Sequence, residues 1–326
     1  MIAIVAQSAA WGRAWEVKRA FALGDDVSLI CADDNPPWRN LGNHVDCWIE
    51  DEDTRRARRI VESARLVWVI GAPGLDTLAR IGDCEAWESW ASNLPLAAWW
   101  VDTQYLFEAP RYNALLDQLG VRWRFAMPDL LQYTAGRAVP LLHPFAMPEL
   151  VPKAGILTIL HSPGSTKRGL ARKGTDAIER AVERARALAD EPVRYERLVG
   201  VRADEVMAAK LRAHIVIDQM PAAGLPSGLG QSGEEGLAAG CVVFSKMFPA
   251  EATAGYFQHP PVQDVATEDA LADALVRVLR LSAAEREELM QRGRQWAEAT
   301  TALTPWRAYV MSHLAVSPEH RVKETA

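Results

Sequence analysis

Residues Leu225–Val243 read Leu-Pro-Ser-Gly-Leu-Gly-Gln-Ser-Gly-Glu-Glu-Gly-Leu-Ala-Ala-Gly-Cys-Val-Val, and this is the most informative stretch of the sequence. A glycine-rich loop leads into a short predicted helix that carries Glu234 and Glu235 and ends at Gly240. The apolar run Val242–Phe244 then predicts a buried strand. A loop, a helix and a strand in this order indicate an α/β domain.

The chemistry of this segment suits a ligand that joins phosphate groups to a sugar. Glycine lets the backbone approach a ligand closely, and the N–H groups at the start of a helix form an anion site. A carboxylate beside that site, here Glu235, is placed to accept hydrogen bonds from sugar hydroxyls. The alternative is an ordinary α/β loop and helix that bind nothing. The loop residues assigned to ligand binding are Ser227, Gly228, Leu229 and Gly230.

A second segment combines a predicted strand with a cluster of basic residues. Gly155–Leu160 is an apolar run, and the segment His161–Asp176 follows it with glycine and proline on both sides of its cations. Ligands of open α/β sheets bind at the carboxyl ends of strands, so we interpret this segment as a loop that meets phosphate. The alternative is a solvated basic loop. The cations are Lys167, Arg168, Arg172 and Lys173, and His161 is a further binding candidate, although a lone histidine is more often structural.

Together the two segments resemble the donor half of a GT-B glycosyltransferase, with closer similarity to the retaining family 4 type. The residues that carry the resemblance are Arg168-x4-Lys173-Gly-Thr-Asp and Glu235-Gly-Leu-Ala-Ala-Gly-Cys-Val-Val. In that family an arginine and the lysine of a Lys-Gly motif contact the donor diphosphate, and a glutamate holds the ribose. By position, the resemblance assigns these roles to Arg168, Lys173 and Glu235.

The resemblance implies the architecture and the reaction. It implies two Rossmann-like domains with parallel sheets that face a cleft, and transfer of a sugar from a nucleotide-diphosphate donor to an acceptor hydroxyl with retention. The expected parts are an acceptor domain at 1–145, a donor domain at 153–303, and a helix within 304–326 that packs back on the first domain before a loose tail. The proline-rich stretch Val139–Pro152 is interpreted as the linker.

One position departs from the family pattern. The family has a second glutamate near the donor sugar, eight positions before the ribose glutamate, and here that position is Ser227. Two alternatives therefore stay open, a nucleotide-sugar epimerase of the same architecture and a non-catalytic nucleotide or sugar binder. A dinucleotide-dependent oxidoreductase is disfavoured, because no Gly-x-Gly-x-x-Gly follows the first strand.

The first half of the chain alternates between strands and helices, which predicts a parallel sheet with helices on both faces. Two residues there are site candidates. Gly12, in the turn after the first strand, would let a ligand approach, and Asp102, at the end of a later strand, would orient an acceptor hydroxyl as a catalytic residue. The neighbouring Trp99 and Trp100 are interpreted mainly as core.

Composition sets the remaining limits. The chain has 326 residues, 49% hydrophobic and 24% charged, which fits two globular domains. A net charge of −6 argues against nucleic-acid binding by bulk electrostatics. Four scattered cysteines indicate a reducing cytoplasm, and no apolar run is long enough to span a membrane.

The expected partners are a nucleotide sugar and an acceptor of unknown class: glycan, lipid-linked glycan, protein, small molecule or modified DNA. No cofactor and no metal site are expected beyond the donor itself. Neither of the two ligand-binding segments contains an Asp-x-Asp pair, which agrees with a metal-independent reaction.

Overall fold

The computed structural model divides the chain into two compact units, Met1–Pro144 with Leu303–Ala326, and Phe145–Ala302. Among the described residues, no helix combines the length and the apolarity that crossing a bilayer requires. The structure describes residues 1–7, 13–32, 45–49, 54–82, 86–101, 103–153, 155–163, 167–220 and 227–316, with the backbone alone at 103, 104, 106 and 167–169.

The first unit is built on a seven-stranded parallel sheet in the order β3-β2-β1-β4-β5-β6-β7. Its central strands are apolar and buried along their whole length, as expected when helices cover both faces of a parallel sheet. The strands are β1 (Ile2–Ala6), β2 (Val27–Cys31), β3 (Cys47–Trp48), β4 (Leu66–Ile70), β5 (Leu96–Trp100), β6 (Trp123–Ala126) and β7 (Val139–Pro140).

In the described residues of this unit, six α-helices accompany the sheet. The last of them is contributed by the end of the chain and packs on the first. The Gly-Ala-Pro-Gly stretch at 71–74 forms the first turn of a helix, where a proline needs no hydrogen-bond donor. The helices are α1 (Arg13–Ala22), α2 (Thr54–Ser63), α3 (Gly71–Ile81), α4 (Trp87–Ala91), α5 (Thr103–Gln118), kinked at Glu108 ahead of Pro110, and α12 (Leu303–Ala315).

Tryptophan side chains fill the core of the first unit. Trp68 makes tilted or edge-on contacts with Trp99 and Trp306, with ring centroids 6.5 and 6.1 Å apart. Trp100 instead stacks on Tyr105 at 4.3 Å. Because Trp99 and Trp100 are almost completely buried, their interpretation as core residues is confirmed.

The second unit is built on a five-stranded parallel sheet in the order β12-β11-β10-β8-β9. The strands are β8 (Leu157–His161), β9 (Val193–Arg197), β10 (Ile215–Ile217), β11 (Val242–Ser245) and β12 (Gln263–Asp264). The helices are α6 (Lys167–Lys173), α7 (Thr175–Ala187), α8 (Ala203–Arg212), α9 (Gln231–Ala238), α10 (Glu268–Arg280) and α11 (Ala283–Thr300).

Helices cover both faces of this second sheet. The helices α7 and α10 pack together over one face, where their apolar side chains join those of the strands in one cluster. On the other face α9 lies so close that a Cβ added at Gly236 would be 3.1 Å from Val216 and 3.0 Å from Val243. The helix α9 in turn contacts α8 and α11.

The strand order of the second unit indicates where a ligand would bind. The chain runs from β8 to β9 on one side, and then crosses to β10 on the other side of β8. In open parallel sheets ligands bind outside the carboxyl ends of the strands where the order reverses in this way. The end of β8 and the end of β10 therefore mark the candidate site.

Two sequence predictions need correction in the second unit and its border. The expected linker Val139–Pro152 begins with a strand, because Val139 and Pro140 pair with β6. The division between the units falls after Pro144. The expected basic loop contains a helix, α6, which ends at Lys173. Gly174 follows it with a φ of +71°, a conformation that glycine adopts without strain.

Candidate functional site

Four segments meet at the carboxyl ends of β8 and β10. They are the residues after β8, the end of α6, the residues after β10, and the start of α9. Ser162 and Ser232 join the first segment to the last, with 2.8 Å between their hydroxyl oxygens. The contacts that follow involve only residues of the second unit.

The Lys173-Gly174 corner is pressed against the segment after β10. The N–H of Met220 donates to the carbonyl oxygen of Lys173 at 2.9 Å. A Cβ added at Gly174 would lie 2.1 Å from the carbonyl oxygen of Met220, which no side chain tolerates. These contacts fix the backbone of Lys173, and they therefore fix the point from which its side chain projects.

Asp218 connects this corner to the start of α9. Its Oδ1 accepts a hydrogen bond from the Lys173 ammonium at 2.7 Å, and its Oδ2 accepts one from the backbone N–H of Gly230 at 2.6 Å. The Asp218 side chain has no exposed surface, whereas that of Lys173 is 19% exposed. An ion pair of this kind leaves the cation, and not the carboxylate, within reach of a ligand.

Two glycines at the start of α9, Gly230 and Gly233, leave no room for a side chain. A Cβ at Gly230 would lie 2.9 Å from Nζ of Lys173, and a Cβ at Gly233 would lie 3.0 Å from Oδ2 of Asp218. Larger residues would displace the ion pair. Neither glycine has a positive φ, so the backbone conformation does not require glycine at these positions. The close packing against Asp218 and Lys173 does.

The glycine-rich loop is held from within the unit. The carbonyl oxygen of Gly228 accepts hydrogen bonds from Nε2 of Gln219 at 2.6 Å and from Oγ of Ser245 at 3.0 Å. Ser227 donates its hydroxyl to the carbonyl oxygen of Met247 at 3.1 Å, and the side chain of Leu229 is buried. These contacts fix the loop residues that precede α9.

Several backbone N–H groups at the start of α9, where an anion was expected to bind, already have acceptors within the protein. The N–H of Gly230 donates to Asp218, and the N–H groups of Gly233 and Glu234 donate to the carbonyl oxygen of Gly230. The amide of Gly230 is therefore engaged by Asp218 and is not available to an anion at the start of α9.

Glu235 lies one turn into α9 and also belongs to an ion pair. Its Oε2 accepts a hydrogen bond from the ammonium of Lys210, on α8, at 2.5 Å, and its Oε1 accepts one from Nε2 of Gln231 at 3.0 Å. Here the lysine is buried, with 1% of its side chain exposed, and the carboxylate is 18% exposed. The neighbouring Glu234 is completely buried.

His161, at the end of β8, is completely buried and has both ring nitrogens engaged. Its Nδ1 donates to the carbonyl oxygen of Ile217 at 2.8 Å, since a carbonyl can only accept, and Nε2 then accepts from the hydroxyl of Thr175 at 3.0 Å. Burial lowers the pKa of His161 to about 4, because the imidazolium would lose its hydration. The ring is therefore neutral and ties β8 to β10 and to the start of α7.

The other predicted site residues are placed only in part. Gly12 and Asp102 lie outside the described residues. The backbone of Arg168 lies in α6, five residues before Lys173. Its side chain is not among the described ones.

Sequence reasoning missed two buried charged residues. Asp218 is not among the predicted site residues, although a carboxylate directly after a buried strand is a signal that points to the site edge. Lys210 gave no signal, because a single lysine on an amphipathic helix is usually solvated. Its burial depends on the contact between α8 and α9.

Within the described part of the chain, no group of three or more His, Cys, Asp or Glu side chains is arranged to hold a metal ion. One Asp-x-Asp triplet does occur in the sequence, Asp51-Glu52-Asp53. It lies outside the described residues, so the expectation of a metal-independent reaction is a matter for experiment.

No family model matches the chain, and no curated protein is significantly similar to it. Solved structures do match. An alpha-glucosyltransferase in complex with UDP and DNA containing a HMU base has a TM-score of 0.68 and 8% identity, over 97% of this chain and 99% of the other. HepE of Anabaena in complex with UDP and glucose has a TM-score of 0.65 and 12% identity, over 97% and 99%.

A glycosyltransferase from Rickettsia africae is similar at a TM-score of 0.63 and 12% identity, over 100% of this chain and 98% of the other. At such identities the similarity defines the fold. The chain has the GT-B architecture of two α/β units with parallel sheets, here of seven and five strands. The expected fold class is therefore confirmed, whereas membership of family 4 stays a prediction.

Proposed function

We propose that this protein is a glycosyltransferase that moves a sugar from a nucleotide-diphosphate donor to an acceptor hydroxyl without a metal ion. The observation that carries the proposal is the pairing of charges around α9. A partly exposed cation, Lys173, lies at its start, and a partly exposed carboxylate, Glu235, lies one turn further on. This spacing suits a diphosphate followed by a ribose.

The diphosphate is the leaving group of the reaction. As the bond to the sugar breaks, negative charge develops on the phosphate oxygens and needs fixed electrostatic partners. Lys173 and the N–H groups in the first turn of α9 supply them, with Arg168 in α6 as a further cation. Preorganised donors of this kind are typically worth about 3 kcal/mol each in the transition state.

The ribose would be recognised by Glu235. Its two carboxylate oxygens can each accept a hydrogen bond from one hydroxyl of a vicinal diol, and hydrogen bonds to charged acceptors are the stronger kind. Oε1 is held by Gln231 and Oε2 by Lys210, so the carboxylate is oriented before the ligand arrives. Carboxylate oxygens have more than one lone pair, which leaves room for both contacts.

A uridine nucleotide is the donor to test first. Two of the similar structures hold UDP, one of them together with glucose, and one holds DNA that contains a HMU base. We therefore include UDP-glucose as donor and hydroxyl-bearing modified DNA as one acceptor, beside glycan, lipid-linked, protein and small-molecule acceptors. Retention at the anomeric carbon follows from the resemblance to the family 4 type.

The experiment measures both binding and turnover. Thermal shift and calorimetry with UDP-, GDP-, ADP- and TDP-sugars identify the base, and release of the nucleoside diphosphate in the presence of each acceptor class measures transfer. The product's anomeric configuration, from NMR coupling constants, tests retention. Activity is expected to survive EDTA with no added cofactor; loss on chelation and recovery with Mg²⁺ or Mn²⁺ would contradict metal independence.

A non-catalytic binder is the second candidate, and Ser227 favours it. The position at which the resembling family has a glutamate near the donor sugar is a serine whose hydroxyl donates to the carbonyl oxygen of Met247. Binding of a nucleotide sugar without diphosphate release for any acceptor would support a binder. Conversion of the sugar without an acceptor would support an epimerase.

A further inference from the structure

We propose that Asp218 is a positioning residue for the donor diphosphate, through its hydrogen bonds to Lys173 and to the backbone N–H of Gly230, the residue that precedes α9. This inference rests on the proposed function, because it assigns Asp218 to the same site. Asp218 is completely buried, so it acts through the groups that it binds and not by touching the ligand.

The carboxylate uses one oxygen for each of two elements. Oδ1 binds the ammonium of Lys173 at 2.7 Å and Oδ2 binds the N–H of Gly230 at 2.6 Å. Both are charge-assisted hydrogen bonds, and a carboxylate at the start of a helix is stabilised by the helix dipole. One rigid group therefore sets the distance between the cation and the amino end of α9.

The ion pair leaves Lys173 able to bind a ligand. An ammonium has three N–H donors, and Asp218 takes one of them in the described structure. The side chain keeps 19% exposure, so its remaining donors are accessible. The buried carboxylate offsets much of the lysine charge, so the site depends on the direction of the Lys173 donors more than on net charge.

The groups around Asp218 and Lys173 leave these two side chains little room to move. A Cβ at Gly230 would lie 3.1 Å from Oδ2 of Asp218 and 2.9 Å from Nζ of Lys173. The backbone of Lys173 is fixed in turn by Met220. Because both partners are attached to fixed backbone, a change at Asp218 is expected to alter the direction of the Lys173 ammonium.

The test is Asp218→Asn in the full chain, with UDP and uridine as calorimetric probes, or the diphosphate and nucleoside of whichever base the wild type prefers. Asparagine can accept from only one of the two donors, because its NH₂ group cannot accept. We expect UDP affinity to fall by about 10-fold or more, the scale of one hydrogen bond to a charged group. We expect uridine affinity to stay within about twofold, because the nucleoside has no diphosphate.

Asp25→Asn is the matched control. Asp25 is a largely buried carboxylate that pairs with Arg65 and Arg307 in the first unit. Its replacement also breaks ion pairs and is expected to lower the melting temperature, but to leave the preference for UDP over uridine unchanged. If Asp218→Asn does not fold, Asp218→Glu, which keeps the charge and moves it, provides the same measurement.

The outcomes separate the two levels of the proposal. An unchanged or increased preference for UDP over uridine in a folded Asp218 variant overturns the positioning role, and an increase would indicate that Asp218 competes with phosphate. A wild type that binds none of UDP, GDP, ADP and TDP contradicts the proposed function itself. A loss confined to UDP binding supports the positioning role.

Discussion

The two ion pairs beside α9 have opposite arrangements. In the pair of Lys173 with Asp218, the carboxylate is completely buried and the lysine is 19% exposed. In the pair of Lys210 with Glu235, the lysine is 1% exposed and the carboxylate is 18% exposed. Each pair therefore consists of one charge hidden in the protein and one opposite charge that reaches the surface.

The difference separates the groups that can meet a ligand from the groups that hold them. A buried charge is costly unless it is paired, so Asp218 and Lys210 each require the partner that they orient. The exposed members, Lys173 and Glu235, have the signs that suit phosphate and hydroxyl groups respectively. They are also the two residues to which the resemblance assigns the diphosphate and the ribose.

The largest effect is expected for Lys173→Ala. We expect turnover to fall by ~10²–10³, because the developing phosphate charge loses a fixed partner. The variant also leaves Asp218 buried without its cation, so the free energy of unfolding should fall too. Steady-state kinetics of diphosphate release, corrected for the folded fraction, measure the effect.

Lys18→Ala is the control for Lys173→Ala. Lys18 pairs with Asp46 in the first unit and is 16% exposed, close to the exposure of Lys173. Its loss should leave turnover unchanged within experimental error. Equal losses in the two variants would mean that Lys173 has no special role.

The second prediction concerns His161, an uncharged residue at the end of β8, on the same side of the sheet as the two ion pairs. Its pKa is lowered to about 4 from the usual 6.5, so between these values the unfolded state binds more protons than the folded state. Stability is therefore fully present above pH 6.5 and is lost as the pH falls toward 4. The upper limit of this loss is about 3 kcal/mol.

Urea denaturation between pH 7 and 4 measures the loss, with His161→Asn as comparison. The variant should be less stable at pH 7 and should show a smaller decrease on acidification. Burial also lowers the pKa of His214, but this residue is present in both proteins and cancels in the difference. Identical pH dependence in both would show that His161 is not buried in its neutral form.

Glu235→Gln tests the opposite pair. One acceptor oxygen becomes a donor, so binding of the nucleoside diphosphate should weaken by about 1.5–3 kcal/mol. A 2′-deoxyribose ligand should bind the wild type poorly yet lose little more in the variant, because the contact is already absent. Calorimetry with the ribose and deoxyribose ligands measures both effects, and equal discrimination in both proteins excludes Glu235 as the ribose ligand.

Two further variants separate binding from stability in this pair. Glu235→Gln leaves Lys210 buried with a weaker partner, so the double variant Lys210→Met/Glu235→Gln should recover stability without recovering ribose discrimination. Glu234→Gln should change ribose binding much less. Since Glu234 is completely buried, its substitution is a control for binding and not for stability.

The last prediction compares two glycine variants. Gly174 and Gly200 both have positive φ, of +71° and +68°, but an added Cβ meets Met220 only at Gly174, while space is open at Gly200. Alanine at either position costs about 1–2 kcal/mol for the backbone conformation. Gly174→Ala should cost a further ~1–3 kcal/mol for the steric overlap and should reduce diphosphate affinity. Chemical denaturation gives the difference, and equal stability of the two variants would contradict the close contact at Lys173.

The sequence predicted much of the α/β pattern. The apolar runs that became β1, β4, β5 and β11 are visible without any structure, because strands buried on both faces must be apolar along their length. The helix α9 follows the glycine-rich loop and carries Glu234 and Glu235, as the sequence predicted. The helices α3 and α6 were not predicted, because glycine and proline at the start of α3 and the run of cations in α6 suggest loops.

From the sequence alone follow most of the alternation of strands and helices and the two segments rich in glycine and charge, because a glycine-rich turn and an apolar period act over a few neighbouring residues. The choice of Lys173 and Glu235 within those segments came from the resemblance to GT-B glycosyltransferases. Only the tertiary structure decided that Asp218 and Lys210 are their buried partners. They lie 45 and 25 residues from the groups that they bind, and burial at such separations depends on how the strands and helices pack.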